Sequence, residues 1–520
     1  MITLSRGRYW PTAALGLATA FLIAPLWCVQ SPGMPDYPAH LASFYLISGG
    51  AQAASRFYFV HWTLVPNLAS ELLVPFLAQL MSLEAAAKLF LSVGIAMWVL
   101  GPAAIQRALF GRVGLAPLAG AFFAYSANFT WGFFNYYFAT GLCFLIFAAW
   151  IATAGKRGPF ALASFAVLVC VLYVGHLFAC ALLVLMIGCF EISSAWESAR
   201  FSPKTLVQRA LPVGLIFLPA LLAFAILRPA GIDSGQFAFN FDNTIDDRVG
   251  AAIQYYFGEP AYLVMGALAI AWLTGLIYGR LRLHPLMKLT VVALAVLTLV
   301  SPEWALGGWG VHLRLPAVLG AMMFACVDLR LDKRLSAALG FILVCAIGWA
   351  AFNLADNWRD YDRQYSEFRA ALRELPRDVK LVTVLDSDAM DDEADQPYWH
   401  MAEFAIIDRG GFSPLMFTTK GQHIVQLKPP FDKLAAASAP QGSPPDLSEL
   451  ADLAAGRAED DPDIDDVFPY LKFFQCHFDE AVIIHGDGVP SEVPNFLTLR
   501  HAGSFFSLYD IAPTGACKRQ

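Results

Sequence analysis

The first 355 residues hold eleven apolar stretches, most of them near the ~20 residues an α-helix needs to cross the ~30 Å hydrocarbon core of a bilayer. They run over 10–29, 84–106, 113–128, 133–154, 159–175, 176–193, 210–228, 260–279, 286–301, 314–328 and 335–355. In lipid a backbone has no water to bond to, so such stretches satisfy their own N–H and C=O groups as helices. The first follows Arg6 and Arg8 in the manner of a signal peptide. Its length, and the lack of a small-residue cleavage site after it, make it read as a retained signal anchor.

Charge divides the chain at the same place. Of 42 acids, 13 precede residue 356 and 29 lie from it onward, whereas 20 of the 35 Lys and Arg precede it. The predicted fold class is therefore a multi-pass α-helical membrane protein with about eleven transmembrane helices (residues 1–355), followed by a C-terminal α/β soluble domain (356–520). An acidic soluble part argues against a nucleic-acid partner.

The basic residues set the expected orientation. With a cytoplasmic N-terminus, fifteen bases fall on cytoplasmic connections, among them Arg107, Arg112, Lys156, Arg157, Arg209, Arg280 and Lys333, and only Arg56, Arg228, Arg248 and Arg314 fall outside. That is a strong positive-inside bias. Eleven crossings then put the C-terminal domain in the periplasm of a bacterial inner membrane. Asp36, Glu71, Asp233, Asp242, Asp246, Asp247, Glu259 and Glu303 all fall on this outer face. Acids near a membrane are costly and tend to be functional.

The first outer loop, 30–83, is long yet not polar. It begins Ser31-Pro32-Gly33-Met34-Pro35-Asp36-Tyr37-Pro38-Ala39-His40, and an amphipathic helix carrying Leu41, Phe44, Tyr45 and Ile47 is predicted next. A second apolar piece, 66–81, would invert every later loop if it crossed the membrane. It is therefore expected to lie along the surface as an interfacial helix, so that the loop carries two helices lying on the membrane.

This layout, with Pro35-Asp36-Tyr37-Pro38-Ala39-His40-Leu41 in the first loop, resembles the GT-C superfamily of membrane glycosyltransferases, in particular its protein mannosyltransferase and aminoarabinose transferase branch. Many members carry two adjacent acids here, and this chain has only Asp36. The resemblance implies inverting transfer of a sugar from a polyprenyl-phosphate carrier to an acceptor, of unknown identity, at the outer face. It makes Asp36 the candidate catalytic base, and a carboxylate in apolar surroundings suits that task because its pKa rises.

The leaving phosphate calls for a cation. Arg314, in Gly307-Gly308-Trp309-Gly310-Val311-His312-Leu313-Arg314, is the best placed, because a guanidinium grips phosphate with two hydrogen bonds. His40, Glu71, His176, Glu259 and His312 are the further substrate-binding candidates. Several of the candidates have a plainer alternative. Asp36 can cap the helix that follows it, Glu71 can cap or snorkel, His40 can be structural, and Arg314 can anchor at the interface. His176 faces either a cavity or the headgroups. Asn135, Tyr136 and Tyr137, in the turn 128–138, are expected in an aromatic belt. The acids of loop 229–258 offer oxygen ligands to a divalent cation, although a solvated loop accounts for them as well.

Walker A, HExxH, Cys-x-x-Cys and serine-elbow motifs are all absent from the sequence. Cys476 and Cys517 stand apart from seven cysteines in or beside spans and are able to pair in an oxidising compartment. In the C-terminal part, strands are predicted at 379–385, 481–485, 496–499 and 505–511, with helices at 357–375 and 398–407. Residues 432–467 read as a flexible acidic insertion. His400 and Glu403 can meet on one helical turn, but the domain is expected to cover the site or select an acceptor, not to join the chemistry. The competing class is a non-catalytic membrane protein, either a transporter or an assembly factor for a surface polysaccharide.

Overall fold

The computed structural model describes residues 10–50, 56–198, 202–227, 244–254, 258–305, 309–390, 396–434, 444–455, 470–471, 473–490, 492–512 and 517. Six of its helices are long and apolar enough to cross a membrane, and four shorter apolar helices accompany them. Arg6, Arg8, Arg200, Arg228, Asp233, Asp242, Gly307 and Gly308 lie outside the described residues.

The chain begins with α1 (Trp10–Cys28), then α2 (Tyr37–Ile47), β1 (Tyr58–Val60), α3 (Ala69–Leu77) and α4 (Leu83–Phe110). The stretch expected to span over 113–128 is not a regular helix. It breaks into α5 (Ala116–Gly120), a 3-10 turn (Ala121–Ala124) and α6 (Ala127–Thr130). It still passes through the bundle, because α4 and α7 (Phe134–Ala152), on either side of it, run parallel: Gly94 backs onto Tyr137 and Gly101 onto Phe144. Surrounding protein makes the irregular backbone tolerable, and residues 115–130 are all buried.

Then follow α8 (Pro159–Gly175), α9 (Leu177–Trp196), α10 (Pro203–Ile226), the short α11 (Ile245–Gly250), α12 (Gly258–Ile277), β2 (Leu281–Leu283), α13 (Lys288–Val300), α14 (Val311–Ala325) and β3 (Val327–Leu329). β2 and β3 pair antiparallel, Leu281 opposite Leu329, and close one end of the bundle.

α15 (Lys333–Leu372) is one helix of 40 residues. At 1.5 Å per residue it is about 60 Å long, twice the hydrocarbon thickness. The predicted charged helix at 357–375 is thus the outward continuation of the last span. α15 runs parallel to α1, with Gly340 against Trp10 and Gly348 against Phe21. The chain's first helix therefore starts at the end opposite the C-terminal domain.

That domain holds β4 (Leu381–Leu385), α16 (Phe404–Arg409), β5 (Val425–Leu427), α17 (Leu447–Ala455), β6 (Glu480–Ile484), β7 (Leu497–Ala502) and β8 (Phe506–Ile511). Its four-stranded sheet has the order β4-β6-β8-β7, with β4 and β6 parallel and the other pairs antiparallel. The two parallel strands, β4 at one edge and β6 beside it, are buried along their length, as their β-branched runs require. The expected helix at 398–407 is a run of 3-10 turns leading into α16, which Gly410 ends at φ 67°. Part of the expected flexible insertion is ordered: α17 packs Leu447, Leu450 and Leu453 into the domain core. The acidic run 459–466 lies outside the described residues. Cys476 and Cys517 form a disulfide.

The first loop is built into this domain. β1 pairs antiparallel with β5, Tyr58 opposite Leu427, and Ala42, Leu46, Phe57 and Tyr58 join the core formed by Val382, Phe412 and Ile483. The expectation of two helices lying on the membrane fails for α2. Its residues 37–44 are buried on every side, because the helix is held between the bundle and the domain. Only α3 keeps an exposed apolar face, of Leu72, Leu73 and Phe76.

Candidate active site

Asp36 stands at the N-cap position of α2, yet its side chain makes no capping hydrogen bond. Capping therefore does not account for it. Its backbone is fixed instead: the N–H donates to the Trp131 carbonyl at 3.0 Å and its carbonyl accepts from His40 N–H at 3.0 Å. Gly132, at φ 93°, packs so closely that a Cβ there would stand 3.1 Å from the Asp36 Cβ. From the other side Asp362 of α15 accepts the N–H groups of Gln30 and Ser31 at 3.0 and 2.8 Å, and Tyr361 packs on Gly33.

The Asp36 side chain keeps 17% of its surface open, and the C-terminal domain brings His400 to it, Nε2 3.8 Å from Oδ1. Burial pushes the Asp36 carboxyl up to about 7, against the opposing pull of His400 and then Arg314. His40, one turn on, stacks among Phe134, Phe44 and Phe417, and its ring bonds the Gly132 backbone. Burial drives it down to about 3, so it is neutral at physiological pH.

Arg314, in the first turn of α14, is not an interfacial anchor. Its guanidinium carbon lies 4.9–5.5 Å from the ring centres of Phe133, Tyr136 and Phe178. Its Nε and Nη1 are buried without a hydrogen-bond partner. A cation held on aromatic faces with donors unused is prepared for an anion. Tyr136 touches this group twice more: its hydroxyl donates to the Arg314 carbonyl at 2.9 Å, and its ring meets His176 edge-on at 5.2 Å. His176 is buried, with Nδ1 accepting from Phe178 N–H at 3.1 Å, so it faces inward and not toward headgroups.

Other candidates are placed differently. Glu71 neither caps nor snorkels. It is buried, accepts from Asn135 at 2.8 Å and from Ser70 at 3.0 Å, and ties α3 to α7, while burial raises its pKa. Asn135, Tyr136 and Tyr137 are buried and bond inward, so they form no aromatic belt. His312 is buried beside Trp309, which donates to Glu303 at 2.9 Å. Glu259 falls in the first turn of α12, and its side chain lies outside the described residues. Asp247 is engaged in a capping box with Thr244. Among the described residues no group of three or more His, Cys, Asp or Glu is arranged to hold a metal ion.

A groove of about 560 Å³ opens on the side of the bundle. Leu72 and Leu73 of α3, Phe138 and Leu142 of α7, and Val167 and Val171 of α8 line it, and it ends at Gly175, next to His176. Sequence reasoning gave no reason to join His400 to Asp36, or Phe417 to His40, because these pairs are distant in the chain. The only signal was the i,i+3 spacing of His400 and Glu403.

No protein-family model matches the chain, and no curated protein matches it. Among solved structures it is similar to the arabinofuranosyltransferase AftD from mycobacteria, studied by single-particle cryo-electron microscopy. Identity is 16% and the TM-score 0.45, with 96% of this chain and 40% of that one covered. The chain thus spans well under half the length of that protein.

Proposed function

We propose that the chain is a GT-C-type membrane glycosyltransferase that moves a sugar from a polyprenyl-phosphate carrier to an acceptor hydroxyl at the outer face of a bacterial inner membrane. The observation that carries this reading is a partly open carboxylate that feels, at one end of the bundle, the charge of a buried guanidinium with two nitrogens unpartnered. The lateral apolar groove supports a donor that enters from lipid with its chain in the bilayer.

In the reaction, Asp36 takes the proton of the acceptor hydroxyl while its oxygen bonds to the sugar's anomeric carbon. The bond from that carbon to the phosphate oxygen breaks, and its electron pair leaves with the phosphate, where Arg314 offsets the new charge. The basic end of the bundle, by the positive-inside bias, faces the cytoplasm. A transport reading has less support, because the sequence shows no internal repeat of the kind from which transporter sites are built.

Purified with host lipid-linked sugars, the wild-type protein should release free polyprenyl phosphate. Its rate should rise with pH through about 7, as the Asp36 carboxyl loses its proton. Asp36→Asn should bind the carrier and release roughly 10²- to 10⁴-fold less. Undiminished release by that variant would refute the assignment.

A further inference from the structure

Glu403 lies at the end of the 3-10 turn that precedes α16 and is fully buried, with 0% of its side chain exposed. Its Oε1 accepts from the Ser413 hydroxyl at 2.9 Å, and the Ser413 N–H donates to the Tyr58 hydroxyl at 3.1 Å. The same Oε1 stands 3.6 Å from His400 Nδ1. On its other side, His400 Nε2 stands 3.8 Å from Asp36. The imidazole is itself 3% exposed and meets Phe417 edge-on at 4.8 Å. A buried carboxylate needs a counter-charge, and the one it faces is this ring.

We infer that Glu403, His400 and Asp36 form a carboxylate–imidazolium–carboxylate row in which the C-terminal domain supplies the positive charge that keeps Asp36 ionised and aimed. His400 and Glu403 are positioning residues in this scheme, and touch no substrate. The inference rests on the reading of Asp36 as the base.

The groups facing the row are few. His40 of α2 and His423, stacked on Phe417 at 5.4 Å, are both held neutral by burial, at about 3 and about 4. Arg314 acts on Asp36 from α14. For His400, burial opposes protonation, but Glu403 and then Asp36 outweigh it and raise its pKa. The mobile charge beside Asp36 is therefore that of His400. The arrangement also makes the membrane site incomplete without the C-terminal domain.

The test follows the Asp36 carboxyl by infrared titration of the full-length protein in detergent, its band identified by subtracting Asp36→Asn. His400→Gln should move the midpoint upward by about 1–3 units, the shift an opposite charge at this range produces. Glu403→Gln should move it in the same direction by less, because His400 then binds its proton more weakly, and it provides a second arm should His400→Gln misfold. A midpoint unmoved in a folded variant overturns the row. Retained transfer by Asp36→Asn would instead overturn the base assignment, without touching the titration.

Discussion

At the basic end of the bundle Glu191 accepts from Trp150 at 2.9 Å, Arg157 at 3.0 Å and Arg209 at 2.9 Å, and the Arg157 guanidinium carbon lies 3.4 Å from the Trp150 ring centre. Nearby, Asp328 pairs with Arg112 and Arg330. At the opposite end Arg314 is also set among aromatic rings, yet two of its nitrogens have no partner, and Asp36 acts on it electrostatically. Both ends carry charge in apolar surroundings, where an unpaired group is costly. At the first end each buried charge meets an opposite one, Glu191 holding both arginines even though Arg157 Nε is left over, and the cluster is structural. The other leaves them open, which is tolerable when a ligand completes them.

The contrast predicts opposite effects of removing a charge at each end. Glu191→Gln should lower unfolding stability by about 3 kcal/mol, because it strands Arg157 and Arg209. The low end of the range applies since Arg209 keeps 37% of its side chain exposed. Its carrier binding should be unchanged, and weakened binding in a folded sample would break the division. Arg314→Ala should do the reverse, weakening binding of undecaprenyl phosphate roughly ten- to a hundredfold, the worth of hydrogen bonds to a charged group, with the melting temperature held or raised. A large stability loss with intact binding would place Arg314 with the structural charges. The smallest effect is expected from Gly132→Ala. A backbone at φ 93° and a Cβ pressed on Asp36 should cost about 1–2 kcal/mol and lower transfer more than carrier binding. Equal loss of both would assign Gly132 to the carrier pocket.

Much of the fold was legible because hydropathy is local. Ten of the eleven expected spans are regular helices close to the expected places. The exception, 113–128, contains Ala, Phe and Gly enough to read as lipid-crossing, but its helix is broken by turns that only neighbouring protein can satisfy. α2 was misread for a related reason. Leu41, Phe44, Tyr45 and Ile47 suggest one apolar face, while the burial of His40, Ala42 and Ser43 on the other faces depends on a domain far away in the chain. Glu71 shows the same limit, since only the fold reveals that Ser70 and Asn135 make it a tie between α3 and α7.

By itself, then, the sequence determined that this chain lies in a membrane, where its helices run, how charge divides between the ends, and that Asp36 and Arg314 belong to one face. These follow from composition and spacing, which act over a few turns of helix. Only the tertiary structure decided that Asp36 does not cap, that Arg314 lies unpaired on three rings, and that His400 and Glu403 reach the membrane site. The last of these depends on the 40-residue α15 carrying the C-terminal domain back over the first loop, and the others on how the bundle packs. No local pattern encodes that return, because the groups it joins lie at opposite ends of the chain.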